Sequence, residues 1–348
     1  MGNSCAKGPP READEDGEGT EKAGFRDRRL SVSQVPSEKG SPNRRLSVYN
    51  EDTEPAAEVL AEIASVAVKS VAGMEPVPGG ATRKINQDRA LTVYPYMGDT
   101  KHGLMGCFDG HGKQGEKASQ FVIENLPKIL SEQPDIQHAP AQALKKAFVE
   151  VDKALGKHMD ASVSGTTAVC ALMRGDTMWV ANAGDSRAIV ARRGPKGTLV
   201  THDLTQDQKP DTPQEKERIE RMGGRVSPAA ADGTPARVWH NFRGLAMARS
   251  IGDHNAKAVG VIAEPEVTHY TITEEDAMMI MASDGVWEFL SSQDVCDIAA
   301  SVEGGSHAAI CDLIVLKAAE RWEEEEGDYR DDITAVVVTF PWLPDGSA

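Results

Sequence analysis

Several aspartates stand where a strongly apolar run stops. Met105-Gly106-Cys107-Phe108 leads into Asp109-Gly110-His111-Gly112, and Met279–Ser283 leads into Asp284-Gly285. Asp331-Asp332 opens the run Ile333–Phe340, and Asp88 precedes Ala90–Val93. One aspartate at a strand end is ordinary turn chemistry. Several, each abutting a buried type of strand, point to a carboxylate cluster that repels itself unless cations neutralise it. Hard oxygen donors, with few histidines and no paired cysteines, select Mg²⁺ or Mn²⁺ over Zn²⁺. Gly110 has no side chain in the way, so its carbonyl can be a further ligand.

Other chemistries lack their residues. The nine histidines form no HExxH pair, no Gly-x-x-x-x-Gly-Lys-Ser/Thr loop is present, and no Gly-x-Ser-x-Gly elbow occurs. Cys5 and Arg11 have the six-residue spacing of a thiolate phosphatase loop, but in a Pro-rich tail that builds no phosphate cradle. The five scattered cysteines contain no CxxC and suit a reducing compartment. A net charge of -16 argues against a nucleic-acid partner and suits a site that concentrates cations.

The elements that must position these residues follow from the apolar pattern. Strand-like runs lie at Thr166–Met173, Met178–Ala181, Ala188–Ala191, Met278–Ala282 and Ile333–Phe340. Helical periodicity covers Gln114–Leu130, Ala141–His158, Pro213–Met222, Ser292–Ser301 and His307–Trp322. Asn182-Ala183-Gly184-Asp185 reads as a hairpin corner, which implies antiparallel pairing. Residues 1–55 have few large apolar side chains and are expected to be disordered. A helix is expected from about Pro55 to Ala72, within a helix-and-linker segment 56–80. The main domain is expected over 81–342, with a short tail at 343–348.

Taken in order, the motifs resemble the metal-dependent, type 2C protein Ser/Thr phosphatases. They are Arg83 with Asn86-Gln87-Asp88; Phe108–Gly112; Ser164–Ala168; Asn182–Arg187; Glu215–Ile219; Gly223–Val226; Leu245–Asp253; Ala282–Trp287; and Asp331–Thr334. The resemblance spans about Ala81 to Phe340. It implies an α+β fold, a four-layer α-β-β-α sandwich of two antiparallel sheets flanked by helices. It implies two Mg²⁺ or Mn²⁺ ions, Asp109 bridging both, Asp284 and Asp331 completing one site, and Gly110 and, through water, Asp88 serving the other. Asp185 matches the position of a weaker third ion. Arg83 would bind the substrate phosphate and His111 would protonate the leaving group. Val226 to Gly244 falls where the family carries a substrate-facing flap. The implied activity is hydrolysis of phosphoserine and phosphothreonine in proteins by a metal-bridged hydroxide, without a covalent phospho-enzyme. Phosphoproteins are the implied partners, and a monomer is expected. Three positions depart from or qualify the pattern. Gln87 stands where many members have Glu, and it is the only sequence argument for the alternative, a phosphoprotein-binding pseudophosphatase. Gln208 stands where His is common. Of Asp331 and Asp332, the first aligns as the ligand.

The N-terminus adds two expectations. Met1-Gly2-Asn3-Ser4-Cys5 resembles an N-myristoylation start with a second acyl site at Cys5, although position 6 is Ala rather than Ser or Thr. Two acyl chains would hold a cytoplasmic protein at a membrane. Arg-Arg-Leu-Ser-Val occurs at 28–32 and 44–48, making Ser31 and Ser47 expected targets of a cyclic-nucleotide-dependent kinase.

Overall fold

The structure, a computed structural model, describes the backbone of residues 45–49 and residues 65–340 apart from 232 and 242. Gly2, Cys5, Ser31, the first half of the expected helix and the tail 343–348 lie outside the described residues.

The principal strands are β1 (Arg45–Tyr49), β2 (Ser65–Val71), β3 (Arg89–Tyr94), β4 (His102–Phe108), β5 (Ala168–Arg174), β6 (Thr177–Ala183), β7 (Arg187–Arg193), β8 (Leu199–Asp203), β9 (Glu266–Thr271), β10 (Asp276–Ala282) and β11 (Ile333–Thr339). The principal helices are α1 (Gly115–Ser131), α2 (Pro140–His158), α3 (Pro213–Arg221), α4 (Ser292–Ser301) and α5 (His307–Glu326). One sheet has the order β1-β3-β4-β5-β6-β9 and the other β8-β7-β10-β11-β2. Neighbouring strands in both run antiparallel.

Successive side chains on a strand face opposite ways, so a strand buried on both faces reads as a continuous apolar run. Met105, Val169, Val190, Met279, Met281 and Val336 meet in the core between the sheets. Their neighbours Leu104, Cys170 and Leu172 pack instead with Val122, Leu126 and Phe148 of α1 and α2. On the other side Ile189, Ile280 and Val337 pack with Val295, Ile310 and Ile314 of α4 and α5. The layers are therefore helices, sheet, sheet, helices.

Three expectations are corrected. Ser65–Val71, expected as the second half of a helix, is a strand paired along its whole length with β11. Val66 and Val68 face the inter-sheet core while Ala67 faces the helices, a period of two that β-branched residues favour. The five-stranded sheet thus begins upstream of the expected boundary at 81. Residues 182–185 are not a hairpin corner, because β6 and β7 belong to different sheets and the chain crosses between them. Gly184 makes that turn at φ +124, where an added Cβ would come within 2.7 Å of Thr167. Finally, Arg45–Tyr49, within the tail expected to be disordered, pairs with β3 and sets Ser47 opposite Thr92. Low hydrophobicity argues against burying apolar surface, but an open sheet edge needs only backbone partners.

Candidate active site

The ends of the central strands assemble the site. Asp109 leaves β4 and is fixed by its neighbour strand: its N–H donates to Thr167 Oγ1 at 3.0 Å and its carbonyl accepts from Thr167 N at 2.8 Å. Gly110-His111 then pairs with Gly165-Thr166, which pairs in turn with Ile251-Gly252. Three motifs distant in sequence become one small sheet. Gly110 is required by packing, since a Cβ there would meet the carbonyl oxygens of Gln87 and Gly115 at 2.4 Å.

Asp88, Asp109 and Asp284 converge. Asp88 is fully buried and accepts a hydrogen bond from Ser283 Oγ at 2.7 Å. Asp109 and Asp284 are close enough to share a hydrogen bond. Burial, and then repulsion from the neighbouring carboxylates, pushes Asp88 and Asp109 well above the usual carboxylate range and Asp284 up to about 7. Oδ1 of Asp88, Asp185 and Asp284 is buried with no hydrogen-bond donor.

Two lysines meet the outlying aspartates. Lys84 Nζ donates to Asp331 Oδ1 at 2.7 Å, and Lys209 Nζ to Asp185 Oδ2 at 2.6 Å. No three His, Cys, Asp or Glu side chains among the described residues form a group that could hold a metal ion. The donors nevertheless fit a hard divalent cation: their buried oxygens lack donors, and their charges repel.

Asp332 differs from its neighbour. Its oxygens accept from the backbone N–H of Gly73 at 2.6 Å and of Gln87 at 2.8 Å, so it ties the Asp88 loop to β11. Gln87 turns its amide to Gly112 O at 2.9 Å and to Glu116 at 3.2 Å, clamping the loop after His111. Gln208 braces the Asp185 turn, accepting from Gly184 N at 2.8 Å and donating to Asn182 O at 3.2 Å.

His111 Nε2 lies 2.6 Å from Asp253 Oδ2, which also accepts from Ser250 Oγ at 2.7 Å. Burial alone would lower the imidazole pKa, but the Asp253 carboxylate outweighs it and the net shift is upward. An ionised Asp253 fixes the hydrogen on Nε2 and leaves Nδ1, buried and without a partner, for other chemistry. Asp253 lay inside the Leu245–Asp253 motif but was not singled out; its partner is 142 residues away. Arg83 is exposed at the end of the strand Gly80–Arg83, next to the Lys84 that reaches Asp331.

The comparisons agree with this architecture. The profile of the family described as Protein phosphatase 2C matches residues 81–326. A rice (Oryza sativa subsp. japonica) protein named probable protein phosphatase 2C 64 is 39% identical, over 74% of this chain and 62% of its own length. Probable protein phosphatase 2C 35 of Arabidopsis thaliana is 36% identical, over 75% of this chain and 80% of its own. The chain belongs to the protein phosphatase 2C family. Its fold is also that of a serine-threonine phosphatase 2C from Toxoplasma gondii, with a TM-score of 0.70 at 22% identity, covering 86% of this chain and 99% of that one.

In this phosphatase 2C chain, the segment before Leu245 is a three-stranded meander of Arg225–Ser227, Arg237–His240 and Arg243–Leu245. Asn241, at φ +45, starts its second turn. Val238 is buried with Ile219, Ala248 and Val261, which seats the meander on α3. Beneath it Arg249 donates to both oxygens of Glu215, which also accepts from Arg218. This network fixes the backbone that ends in Asp253. The four described cysteines are buried, and burial raises the thiol pKa of Cys107 and Cys170, the latter to about 12. None of the four is a ready thiolate.

Proposed function

We propose that the chain is a Mg²⁺- or Mn²⁺-dependent phosphatase that hydrolyses phosphoserine and phosphothreonine in proteins by direct attack of hydroxide, with no covalent phospho-enzyme. The observation that carries this reading is the group of mutually repelling carboxylates Asp88, Asp109 and Asp284, with buried, donorless Oδ1 atoms on Asp88 and Asp284 and with Asp109 two residues before the His111 that pairs with Asp253.

Asp109, Asp284, Asp331, Asp88 and the Gly110 carbonyl would hold two cations, and Asp185 a weaker third. When bound, such cations lower the pKa of a water from 15.7 towards about 7 and offset its repulsion from the phosphate. Arg83 grips two phosphate oxygens with its planar fork, a geometry Lys lacks. His111, oriented by Asp253 through Nε2, delivers a proton from Nδ1 to the departing Ser or Thr oxygen.

The deciding experiment is turnover of a phosphothreonine peptide with and without Mn²⁺, in the wild type and in Asp109→Asn. Mn²⁺-dependent release of phosphate by the wild type, lost in a folded Asp109→Asn, is expected. Full activity in that variant, or activity undiminished by EDTA, refutes the assignment.

A further inference from the structure

Beside His111 and Asp253 opens a cleft of about 490 Å³, walled on one side by the meander and on the other by Ser162, Val163 and Asn255. Its floor is apolar, formed by residues such as Val238, Leu245 and Met247. Its meander wall carries Arg237, His240 and Arg243. Asp253 is the only carboxylate among the described lining residues, and its Oδ2 is already engaged by His111 and Ser250. In a chain of net charge -16, this is a local reversal of sign next to the reacting centre.

The three basic groups are not equivalent. Arg237 donates through Nη1 to Gly244 O at 3.1 Å, which secures it to the opposite strand of the meander. His240 Nε2 contacts Asn241 Nδ2 at 2.8 Å. Arg243 is exposed and forms no ion pair or side-chain hydrogen bond with any described residue. A guanidinium held at the rim of an apolar cleft, with no internal anion, suits an anion brought by the ligand. The apolar floor suits the aliphatic stem that carries such an anion.

We infer that this cleft is a subsite for an anionic side chain flanking the phosphorylated residue of the substrate, with Arg243 as its principal contact and Arg237 and His240 supporting it. The inference rests on the phosphatase reading and deepens it by naming the substrate class: phosphoproteins whose phosphosite is followed or preceded by a carboxylate or a second phosphate. The gain is in binding, because the contact is the same before and during phosphoryl transfer.

The test uses three phosphothreonine peptides that differ only in the flanking residues: alanine, glutamate, or the non-hydrolysable phosphonate analogue of phosphoserine. In the wild type at low salt, kcat/KM for the glutamate and phosphonate peptides is expected to exceed that for the alanine peptide about fivefold, the scale of one partly exposed ion pair. The difference should lie in KM and shrink as salt rises. The relative rates of the glutamate and phosphonate peptides tell which anion is preferred. In Arg243→Gln the preference should fall towards unity, in Arg243→Glu it should invert, and in Arg243→Lys much of it should return. Because each variant is read as a ratio between peptides, a general loss of activity does not imitate the result. Equal kcat/KM for the three peptides in the wild type, or an undiminished preference in Arg243→Gln, overturns the inference. Failure to hydrolyse any peptide is a different failure, that of the phosphatase reading, and removes the basis of this one.

Discussion

The pairing of His111 with Asp253 makes a statement about leaving groups. An alkoxide leaving from Ser or Thr needs a proton, whereas an aryl oxide of low pKa does not. His111→Gln is therefore expected to lower kcat on a phosphothreonine peptide by about a hundredfold and to change turnover of an aryl phosphate far less. Asp253→Asn should give the same pattern more weakly, measured on the same two substrates. Equal losses on both would assign the pair a structural role. Gln208 is a different case: both ends of its amide serve the Asp185 turn. Gln208→Ala leaves a buried N–H unpaired and should cost about 1–3 kcal/mol in denaturant unfolding. Much of this was legible. Asp88, Asp109 and Asp284 were marked by their position at the ends of apolar runs, and the structure brings them together. The Asp253 and Gln208 roles were not, because hydrogen bonds to residues 142 and 24 positions away leave no periodic trace.

At the scale of elements, the long amphipathic helices were read within a few residues, since α1, α2 and α4 each bury one face against a sheet. The failures came where pattern was short. Val66 and Val71 fit helical spacing as part of a longer run with Val59, Leu60 and Ile63, and only the neighbouring β11 shows that a period of two governs Ser65–Val71. The apparent hairpin at 182–185 failed because two adjacent apolar runs do not reveal that they feed different sheets. One element-level prediction follows from the Glu215 network joining α3 to the segment before Asp253. Burial alone would raise the Glu215 pKa, but hydrogen bonds and charge from Arg249 and Arg218 outweigh it and hold the carboxyl below its ordinary value. An acid whose folded pKa is depressed contributes stability above its unfolded pKa and loses it as pH falls through the folded value. Glu215→Gln should therefore be destabilised at neutral pH and lose less stability between neutrality and acid than the wild type, as read by thermal melts across pH.

For the whole molecule, the carboxylate cluster links cation binding to stability. Ions that bind only the folded chain stabilise it by about 2.7 kcal/mol at a hundred times their dissociation constant, so Mn²⁺ should raise Tm and EDTA should reverse the rise. Asp284→Asn removes one repelling charge and one ligand together. It should melt no lower than the wild type without Mn²⁺ and respond little to its addition; a full response would remove Asp284 from the ligand set. The order of the five-stranded sheet has another consequence. β11 lies between β10 and β2, and Asp331 and Asp332 immediately precede it. A nascent chain emerging from the ribosome therefore carries β2 without its neighbour, and the Asp88 loop without the Asp332 brace, until almost all of the catalytic fold has been synthesised. Domains fold as units as they are made, and here the unit closes with its last strand. On the proposed function, a chain that stops before Asp331 is expected to lack a working site and so to release no phosphate from proteins.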